Sequence, residues 1–398
     1  MIERVPANAG GVPLGYLVEH ATLRVTGYSV TLARLPSALF GAGSVYLVAL
    51  LTAELAFGDS WLPATILFAA FPLTIRYATE SRVYSQALFL SVLATWLYVR
   101  LAREPGLLKT MLYALTLTLA IYTQPFAVSV AVAHIVWSMT ARQPMQAARG
   151  AIAACFSVVA FLPWYLWSRE MWAASVAGQQ VGSPFSVKTP LMIFREFVGA
   201  GYWGSGLLLI LAIMALRKYR SHRARALLAL LIILPVILAL IADGIFGYFI
   251  AARQFLWTLP AIAILAGSAM VETRGAPWRR VVVTVLATAL CAMLVWQNVR
   301  YFTSGTENWD SAARQLVEAK RKGACIEVIP AGAIDYYRFF QPELQMGNCT
   351  SGNVLVVAVS PYARKDERRI DLGRLEASGY KQGNVAVVGK SAIMYFSR

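Results

Sequence analysis

Ten apolar segments, each near the length that crosses a bilayer, constrain this chain more than any other feature. A hydrocarbon core of about 30 Å needs about 20 apolar residues in one helix. Because that core offers no water to backbone groups, the segments are expected to be α-helices. They lie at approximately 37–56, 61–75, 83–99, 107–121, 125–139, 150–167, 203–216, 226–242, 254–270 and 281–297. The sequence therefore predicts a mainly α, polytopic membrane protein with about ten transmembrane helices.

Composition and charge agree with a membrane location. The mean hydropathy is +0.57 and only 14% of the residues are charged, against roughly one quarter in soluble domains. The net charge of +16 could suggest a nucleic-acid partner, but it is unevenly distributed. Residues 1–303 hold 23 Lys and Arg against 10 Asp and Glu, and residues 304–398 hold 13 against 10. The basic surplus therefore follows the membrane part, and no nucleic-acid partner is expected.

Lys and Arg concentrate in every second connection between the apolar segments. These connections contain Arg100, Arg103 and Lys109; Arg142 and Arg149; Arg217, Lys218, Arg220, Arg223 and Arg225; and Arg274, Arg279 and Arg280. An excess of basic residues marks the cytoplasmic loops of membrane proteins. We therefore predict that these connections lie inside, and that both the N-terminus and residues 298–398 lie outside.

The beginning of the chain differs from that of an ordinary membrane protein that starts outside. Such a protein needs a signal peptide or an earlier span, and the pattern of residues 1–27 indicates neither. We therefore expect that a preceding helix is missing. Residues 11–26 instead have the mainly helical apolar spacing of an amphipathic helix at the outer interface. The predicted organisation is an interfacial segment at 1–36, a transmembrane domain at 37–300 and an extracytoplasmic domain at 301–398.

The last part of the chain alternates between helix and strand patterns. "NWDSAARQLVEAKRKG" and "LGRLEASGY" have helical periodicity, whereas "CIEVIP", "NVLVVAVS", "VAVVG" and "AIMYFS" are typical of short strands. The sequence therefore predicts a small α/β domain. Cys325 and Cys349 both fall in it, and two alternatives stay open for them, a disulfide or two thiols.

One short polar segment, "RYATESRVYSQ" at 76–86, interrupts two apolar runs on the predicted outer face. Glu80 lies there between Arg76 and Arg82 and near Tyr77 and Tyr84. A carboxylate held by cations at the bilayer boundary can act as a base. The alternative is that the cluster only anchors two helix ends, because Tyr and Arg are common at membrane interfaces.

The predicted outer face offers few other groups for chemistry. The carboxylates of the membrane part expected there are Glu3, Glu19, Glu80, Glu170, Glu196 and Asp243. Arg253 begins a span on that face, where its guanidinium could grip a phosphate or simply anchor the helix. The three histidines do not cluster, and the sequence contains neither a phosphate-loop nor a dinucleotide-binding motif. We therefore expect no metal site and no cofactor.

Several segments, taken in order, resemble those of the GT-C-fold glycosyltransferases. They are "SVTLARLPSALFGAGSVYLVALLTAELAFG", "FPLTIRYATESRVYSQALFLSVLATWLYVRL", "LYALTLTLAIYTQPFAV" and "ARQFLWTLPAIAIL". The similarity is to bacterial relatives of protein mannosyltransferases and of the lipid A aminoarabinose transferase, and it covers roughly residues 11–300. It implies a multi-pass protein of the bacterial plasma (inner) membrane.

The resemblance also implies an activity and roles for residues. Such enzymes transfer a sugar from a polyprenyl-phosphate donor to a lipid, glycan or protein acceptor on the extracytoplasmic face, by an inverting mechanism. By resemblance, Glu80 and Arg82 are expected to be catalytic, and Arg253 and Arg76 to bind the donor phosphate. Three further residues are expected to line the substrate cavity, namely Tyr77, Tyr84 and Gln124.

The sequence departs from the family pattern at one place. The principal acidic motif of the family follows its first span, and this sequence begins downstream of that position. Two other functions therefore stay open, a transporter or flippase of lipid-linked saccharides and a non-catalytic subunit of a membrane assembly. Transporters commonly contain internal repeats, and the sequence shows none.

Overall fold

The computed structural model describes residues 12–27, 29–55, 57–179, 191, 194–196, 199–218, 222–246, 252–271, 277–303, 308–344, 354–360, 365–389 and 391–397. The chain divides into two compact units, Met1–Asn298 and Val299–Arg398. Nearly all of the first unit's described residues are helical, whereas the second unit contains a sheet.

The described helices that begin in the first unit follow the predicted apolar segments. They are α1 (Pro13–Thr26), α2 (Val30–Ala33), α3 (Leu35–Glu54), α4 (Trp61–Ala70), α5 (Pro72–Thr79), α6 (Tyr84–Arg103), α7 (Leu107–Thr123), α8 (Val128–Thr140), α9 (Pro144–Gln179), α10 (Gly201–Lys218), α11 (His222–Phe246), α12 (Leu259–Val271) and α13 (Pro277–Thr303). The predicted interfacial helix corresponds to α1, which begins at a proline and is followed by Gly27 with φ +81°. Proline at a helix start and glycine just after its end are typical boundaries.

Within the described residues, six helical stretches are long and apolar enough to cross a membrane, and α4 with α5 can form a seventh, bent span. Three shorter apolar helices occupy Leu107–Thr123, Pro125–Thr140 and Gly201–Leu216. Each of the ten predicted segments falls on one of these stretches, which confirms the prediction of a polytopic, mainly helical protein. The first span begins at Thr31 rather than at 37, because the short helix α2 leads directly into α3.

The spans differ greatly in how much protein covers them. In the span Arg253–Val271, which includes α12, 89% of the 18-residue apolar stretch is buried within the protein. In Arg280–Thr303 the buried share of that stretch is 11%. Gly267 lets α12 approach α4 closely, since a Cβ there would lie 2.5 Å from the backbone nitrogen of Ala64. The protein core therefore surrounds α12, and the outer helices leave apolar side chains exposed, as is expected where lipid replaces water.

The seventh span is bent by 60° between α4 and α5. Phe71 has an extended backbone (ψ 126°) and Pro72 begins α5, so the helical hydrogen bonding is interrupted there. The side-chain amide of Asn298 donates a hydrogen bond to the Ala70 carbonyl at 2.8 Å. Broken helices are tolerated at membrane depth when neighbouring groups satisfy the released backbone atoms. The short helix α5 follows the break, and Glu80 comes directly after the last residue of α5.

A buried polar network joins α6, α7 and α8 away from that turn. The Nδ1 atom of His134 lies 3.0 Å from the Tyr113 hydroxyl, and its Nε2 atom lies 3.2 Å from Thr95 Oγ1. Thr95 in turn donates to the Ser91 carbonyl at 2.9 Å. The His134 ring also stacks on Tyr98, with centroids 4.6 Å apart. These contacts give His134 a structural role in holding the helices together.

The second unit contains a four-stranded sheet with helices on both faces. Its elements are α14 (Trp309–Arg321), β1 (Cys325–Ile329), α15 (Ile334–Phe340), β2 (Val354–Val359), α16 (Lys365–Ala377), β3 (Lys381–Val388) and β4 (Ser391–Ser397). The strand order is β1-β2-β4-β3, with β1 and β2 parallel and the other pairs antiparallel. This confirms the predicted α/β domain, although α15 was not predicted.

The two faces of the sheet have separate apolar cores. Alternate residues of β2 point to opposite sides: Val356 packs with α14 and α15, and Val357 packs with α16. Cys325 at the start of β1 is disulfide-bonded. Cys349, the cysteine considered for it above, lies outside the described residues.

Candidate active site

The turn between α5 and α6 places one carboxylate between two guanidinium groups. Arg76 lies in the last turn of α5, and its Nε is 2.8 Å from Glu80 Oε1. Arg82 approaches from the other side, with its Nε 3.3 Å from Glu80 Oε2. The Glu80 side chain is 24% exposed and both arginines are 44% exposed. Glu80 is therefore the most sheltered charge of this turn.

Two tyrosines connect this ion-pair cluster to a distant part of the chain. The rings of Tyr77 and Tyr84 pack with their centroids 4.8 Å apart. The Arg76 guanidinium lies 5.8 Å from the Tyr77 ring, and the Arg253 guanidinium lies 5.9 Å from the Tyr84 ring. These distances are in the range of cation–π interactions. The fold thus brings Arg253 from the 3-10 helix Ala252–Thr258 to the turn that contains Glu80.

Six of the seven residues singled out from the sequence therefore form one continuous cluster. The seventh, Gln124, lies at the end of α7, where its backbone nitrogen donates to the Ala120 carbonyl at 2.7 Å. Its side chain is buried. None of the contacts of the described residues joins Gln124 to the cluster, so its cavity role stays a prediction.

Three polar contacts join the turn to the N-terminal helices. Ser37 of α3 donates to the Arg82 carbonyl at 3.1 Å. The Ser81 hydroxyl lies 2.7 Å from Glu19 Oε1 on α1 and 3.0 Å from the Ala33 carbonyl. Sequence reasoning missed these supports, because nothing in the spacing of residues 19, 37 and 81 indicates that they meet. The only available signal was a carboxylate on the predicted interfacial helix.

The composition of the cluster suits an anionic group. Among its described side chains are three guanidinium groups, from Arg76, Arg82 and Arg253, and one carboxylate. A guanidinium presents several N–H donors in a planar fork that matches a phosphate. At the edge of a low-dielectric membrane domain such interactions are stronger than in water. The arrangement can hold a phosphate beside a carboxylate that accepts a proton.

A metal centre is not evident in the described part of the chain. No three His, Cys, Asp or Glu side chains within it lie close enough together to hold an ion. The side chains of the cluster itself offer carboxylate, guanidinium and phenol groups.

Comparison with known proteins gives a fold and no close relative. No protein-family model matches the sequence, and no curated protein matches it. Among solved structures, that of ArnT from Cupriavidus metallidurans bound to undecaprenyl phosphate aligns with a TM-score of 0.55. The identity is 14%, over 96% of this chain and 87% of that one.

The structure of an oligosaccharyltransferase from Archaeoglobus fulgidus, in complex with zinc and sulfate, aligns with a TM-score of 0.49 at 14% identity. The alignment covers 85% of this chain and 49% of that one, so this chain spans about half the length of the oligosaccharyltransferase. The fold assignment depends on the ArnT alignment, which includes almost the whole of this chain. The chain has the GT-C fold, the fold of a class of polytopic membrane glycosyltransferases.

Proposed function

We propose that this protein is a membrane glycosyltransferase that moves a sugar from a polyprenyl-phosphate donor to a hydroxyl of a lipid, glycan or protein. The observation that carries the proposal is the cluster in which Arg253 meets the Glu80 turn through Tyr84 and Tyr77. The fold around this cluster supports the same function, because it is similar to that of ArnT, whose structure was solved with bound undecaprenyl phosphate. Transfer to a hydroxyl requires a proton acceptor beside the phosphate-binding groups, whereas binding of the donor alone does not.

The proposed step is a direct, inverting displacement. The acceptor hydroxyl loses its proton to Glu80, and its oxygen forms a bond to the anomeric carbon of the sugar. The bond between that carbon and the phosphate oxygen breaks, and the lipid phosphate leaves with the electron pair. Arg253 and Arg76 stabilise the charge that develops on the phosphate, an effect that is large when donors are already in place. The step uses no organic cofactor, because the donor carries its own leaving group.

The geometry supports one of the two Glu80 oxygens as the proton acceptor in this proposal. Arg76 donates a hydrogen bond to Oε1, whereas Oε2 is buried and receives no hydrogen bond from a described residue. Arg82 covers Oε2 with a half-exposed side chain. In this proposal the half-exposed Arg82 side chain moves aside when the acceptor binds. We assign the base role to Oε2 and a gating role to Arg82.

The proposed reaction takes place on the extracytoplasmic face of the bacterial inner membrane. The alternation of basic connections supports this orientation, since the Glu80 turn and Arg253 fall on the opposite side from the basic loops. The second unit, 299–398, lies on that same side in this proposal.

The test is a transfer assay with purified full-length protein in proteoliposomes and labelled undecaprenyl-phosphate sugars. Glu80→Gln should lower kcat about 10²- to 10⁴-fold, because it removes the proton acceptor. Arg253→Ala should lower kcat/KM for the donor about 10²-fold, as for other lost charge-stabilising donors. Arg300→Ala is the matched control, since Arg300 is an exposed arginine in the last turn of α13.

Three outcomes would contradict the proposal. Wild-type protein that transfers no sugar to any acceptor class would exclude an enzyme of this kind. Labelled donor that crosses the bilayer without transfer would favour the flippase. Transfer that is equally fast in Glu80→Gln, Arg253→Ala and Arg300→Ala would place the active site elsewhere.

A further inference from the structure

A second carboxylate, Glu19, contacts the turn that contains Glu80. Its Oε1 atom lies 2.7 Å from the hydroxyl of Ser81, the residue directly after Glu80. A hydroxyl has one proton, so Ser81 can donate either to Glu19 or to the Ala33 carbonyl at 3.0 Å. The carboxylate is the closer and the charged acceptor, and charge-assisted hydrogen bonds are the stronger ones. Ser81 therefore donates mainly to Glu19.

The helix that carries Glu19 also packs tightly on the same turn. A Cβ at Gly15 would lie 2.0 Å from Val83 Cγ1 and 2.9 Å from Val83 Cβ. Only glycine permits α1 to approach Val83 so closely. Gly15 and Glu19 are four residues apart and therefore lie on one face of α1. That face contacts the turn at two of its residues, Ser81 and Val83.

The contacts of Glu19 are not those of an ordinary surface ion pair. Among the described residues, Glu19 forms no ion pair and no hydrogen bond other than the one from Ser81. Within the turn, the Arg82 nitrogen donates to the Glu80 carbonyl at 2.9 Å, and the Glu80 side chain is paired with Arg76 and Arg82. These contacts orient the Glu80 carboxylate within the turn, whereas the contacts of Ser81 and Val83 fasten the turn itself to α1.

We propose that Glu19 is a positioning residue, which acts through Ser81 to hold the Glu80 turn in the geometry that the transfer reaction requires. The reaction part of this inference rests on the proposed function. The structural part, that α1 holds the turn through Glu19, does not. Because displacement of a reacting group by about 1 Å can lower a rate about 10²-fold, loss of this hydrogen bond should affect kcat.

The experiment compares Glu19→Leu, Ser81→Ala, Glu19→Gln and the double variant Glu19→Leu/Ser81→Ala with wild type. Hydrogen–deuterium exchange of the peptide 79–85 reports the turn, and the transfer assay reports kcat and donor KM. Thr22→Val is the matched control, because the Thr22 hydroxyl donates to the Val18 carbonyl within α1. All variants are measured in the same lipid nanodiscs.

We expect faster exchange at 79–85 in Glu19→Leu and in Ser81→Ala, with kcat about ten- to a hundredfold lower and donor KM within about twofold of wild type. The double variant should be no worse than either single variant, because both remove the same bond. Glu19→Gln should keep most of the activity, because its amide oxygen accepts the same hydrogen bond. Thr22→Val should match wild type in both measurements.

Unchanged exchange in Glu19→Leu would overturn the proposal. Loss of activity in Glu19→Gln as severe as in Glu19→Leu, with normal exchange, would also overturn it and would indicate that the charge acts on the reaction itself. Wild-type protein without transfer activity, but with the expected exchange differences, would contradict the proposed function and leave the positioning role of Glu19 established.

Discussion

Tyr84 occupies the centre of the candidate site, because its ring contacts both the Arg253 guanidinium and the Tyr77 ring. Cation–π contacts contribute about 0.5 to 1 kcal/mol at exposed sites and about 2 kcal/mol when water is excluded. The Tyr84 ring therefore restrains the long Arg253 side chain, which binds the donor phosphate in the proposed reaction. In that proposal the face of the ring, rather than its hydroxyl, is what matters.

Replacing Tyr84 by leucine should weaken donor binding. We expect Tyr84→Leu to raise the donor KM about fivefold, which corresponds to about 1 kcal/mol. Tyr84→Phe keeps the ring and should behave like wild type. Titration of donor lipid in the transfer assay measures both. A loss in Tyr84→Phe as large as in Tyr84→Leu would show that the hydroxyl, not the ring face, is what matters.

His134 illustrates how a polar residue is accommodated deep in an apolar bundle. Tyr113 donates to its Nδ1 atom, so the proton of the ring is on Nε2, which donates to Thr95. This assignment follows from the network, because the Thr95 hydroxyl already donates to the Ser91 carbonyl. The side chains of Tyr113, His134 and Thr95 are thus all hydrogen-bonded, as buried polar networks require.

Breaking this network should destabilise the protein without changing the active site. Hydrogen bonds between membrane helices contribute about 0.6 kcal/mol on average and up to about 1.7 kcal/mol. We expect His134→Leu to lower the free energy of unfolding by about 2 kcal/mol, because it leaves the buried Tyr113 hydroxyl without an acceptor. Adding Tyr113→Phe should restore part of that loss. Unfolding in detergent, followed by circular dichroism, gives the free energies of unfolding of wild type, the two single variants and the double variant. Strict additivity of the two single losses would contradict the network.

At the scale of elements, the break between α4 and α5 determines where the turn with Glu80 lies. Pro72 cannot donate a backbone hydrogen bond, and Asn298 of α13 compensates by donating to the Ala70 carbonyl. Gly199, with φ +76°, packs against Pro72 from another segment, and a Cβ there would lie 2.9 Å from Pro72 Cβ. The bend is therefore supported by contacts distant in sequence.

Loss of the Asn298 hydrogen bond should loosen this bend. Asn298→Leu leaves the Ala70 carbonyl without that donor, and an unsatisfied buried group costs about 1 to 3 kcal/mol. We expect a matching fall in the free energy of unfolding and faster deuterium exchange in residues 70–79. Asn298→Asp is similar in size but lacks the N–H donor, so it should be affected at least as strongly. Wild-type stability in both variants would refute this role.

At the scale of the whole molecule, the two units have different surfaces. The first exposes apolar side chains on outer helices such as α13, in which only 11% of the apolar stretch is buried within the protein. The second has two apolar cores enclosed by helices on either face of its sheet. The first surface suits lipid and the second suits water, so the units belong in different surroundings.

The proposed orientation can be tested on intact cells. Cysteines at Gln382, exposed on β3, and at Glu104, exposed between α6 and α7, are introduced separately into a Cys155→Ser/Cys291→Ser background. A membrane-impermeant maleimide should label position 382 in intact cells and position 104 only after permeabilisation. The reverse pattern would contradict the extracytoplasmic site and the mechanism proposed for it.

The sequence by itself determined the class of structure. Apolar segments long enough for a bilayer leave the backbone no alternative to helices, and alternating patterns after them indicate an α/β domain. It also singled out Glu80 and its flanking arginines, because arginines on the predicted outer face run against the usual preference of basic residues for inner loops. These inferences depend only on the spacing of residues along the sequence, so they do not require knowledge of the tertiary fold.

Only the tertiary structure decided which distant residues meet. The contacts of Arg253 with Tyr84, of Glu19 with Ser81 and of Asn298 with Ala70 join segments far apart in sequence. Such contacts depend on how helices pack and where they bend, and periodicity carries no information on either. The sequence therefore identified the charged residues of the candidate site. The packing of α1, α5, α6 and the 3-10 helix Ala252–Thr258 brought them together, because side chains from separate helices become neighbours only when the helices dock.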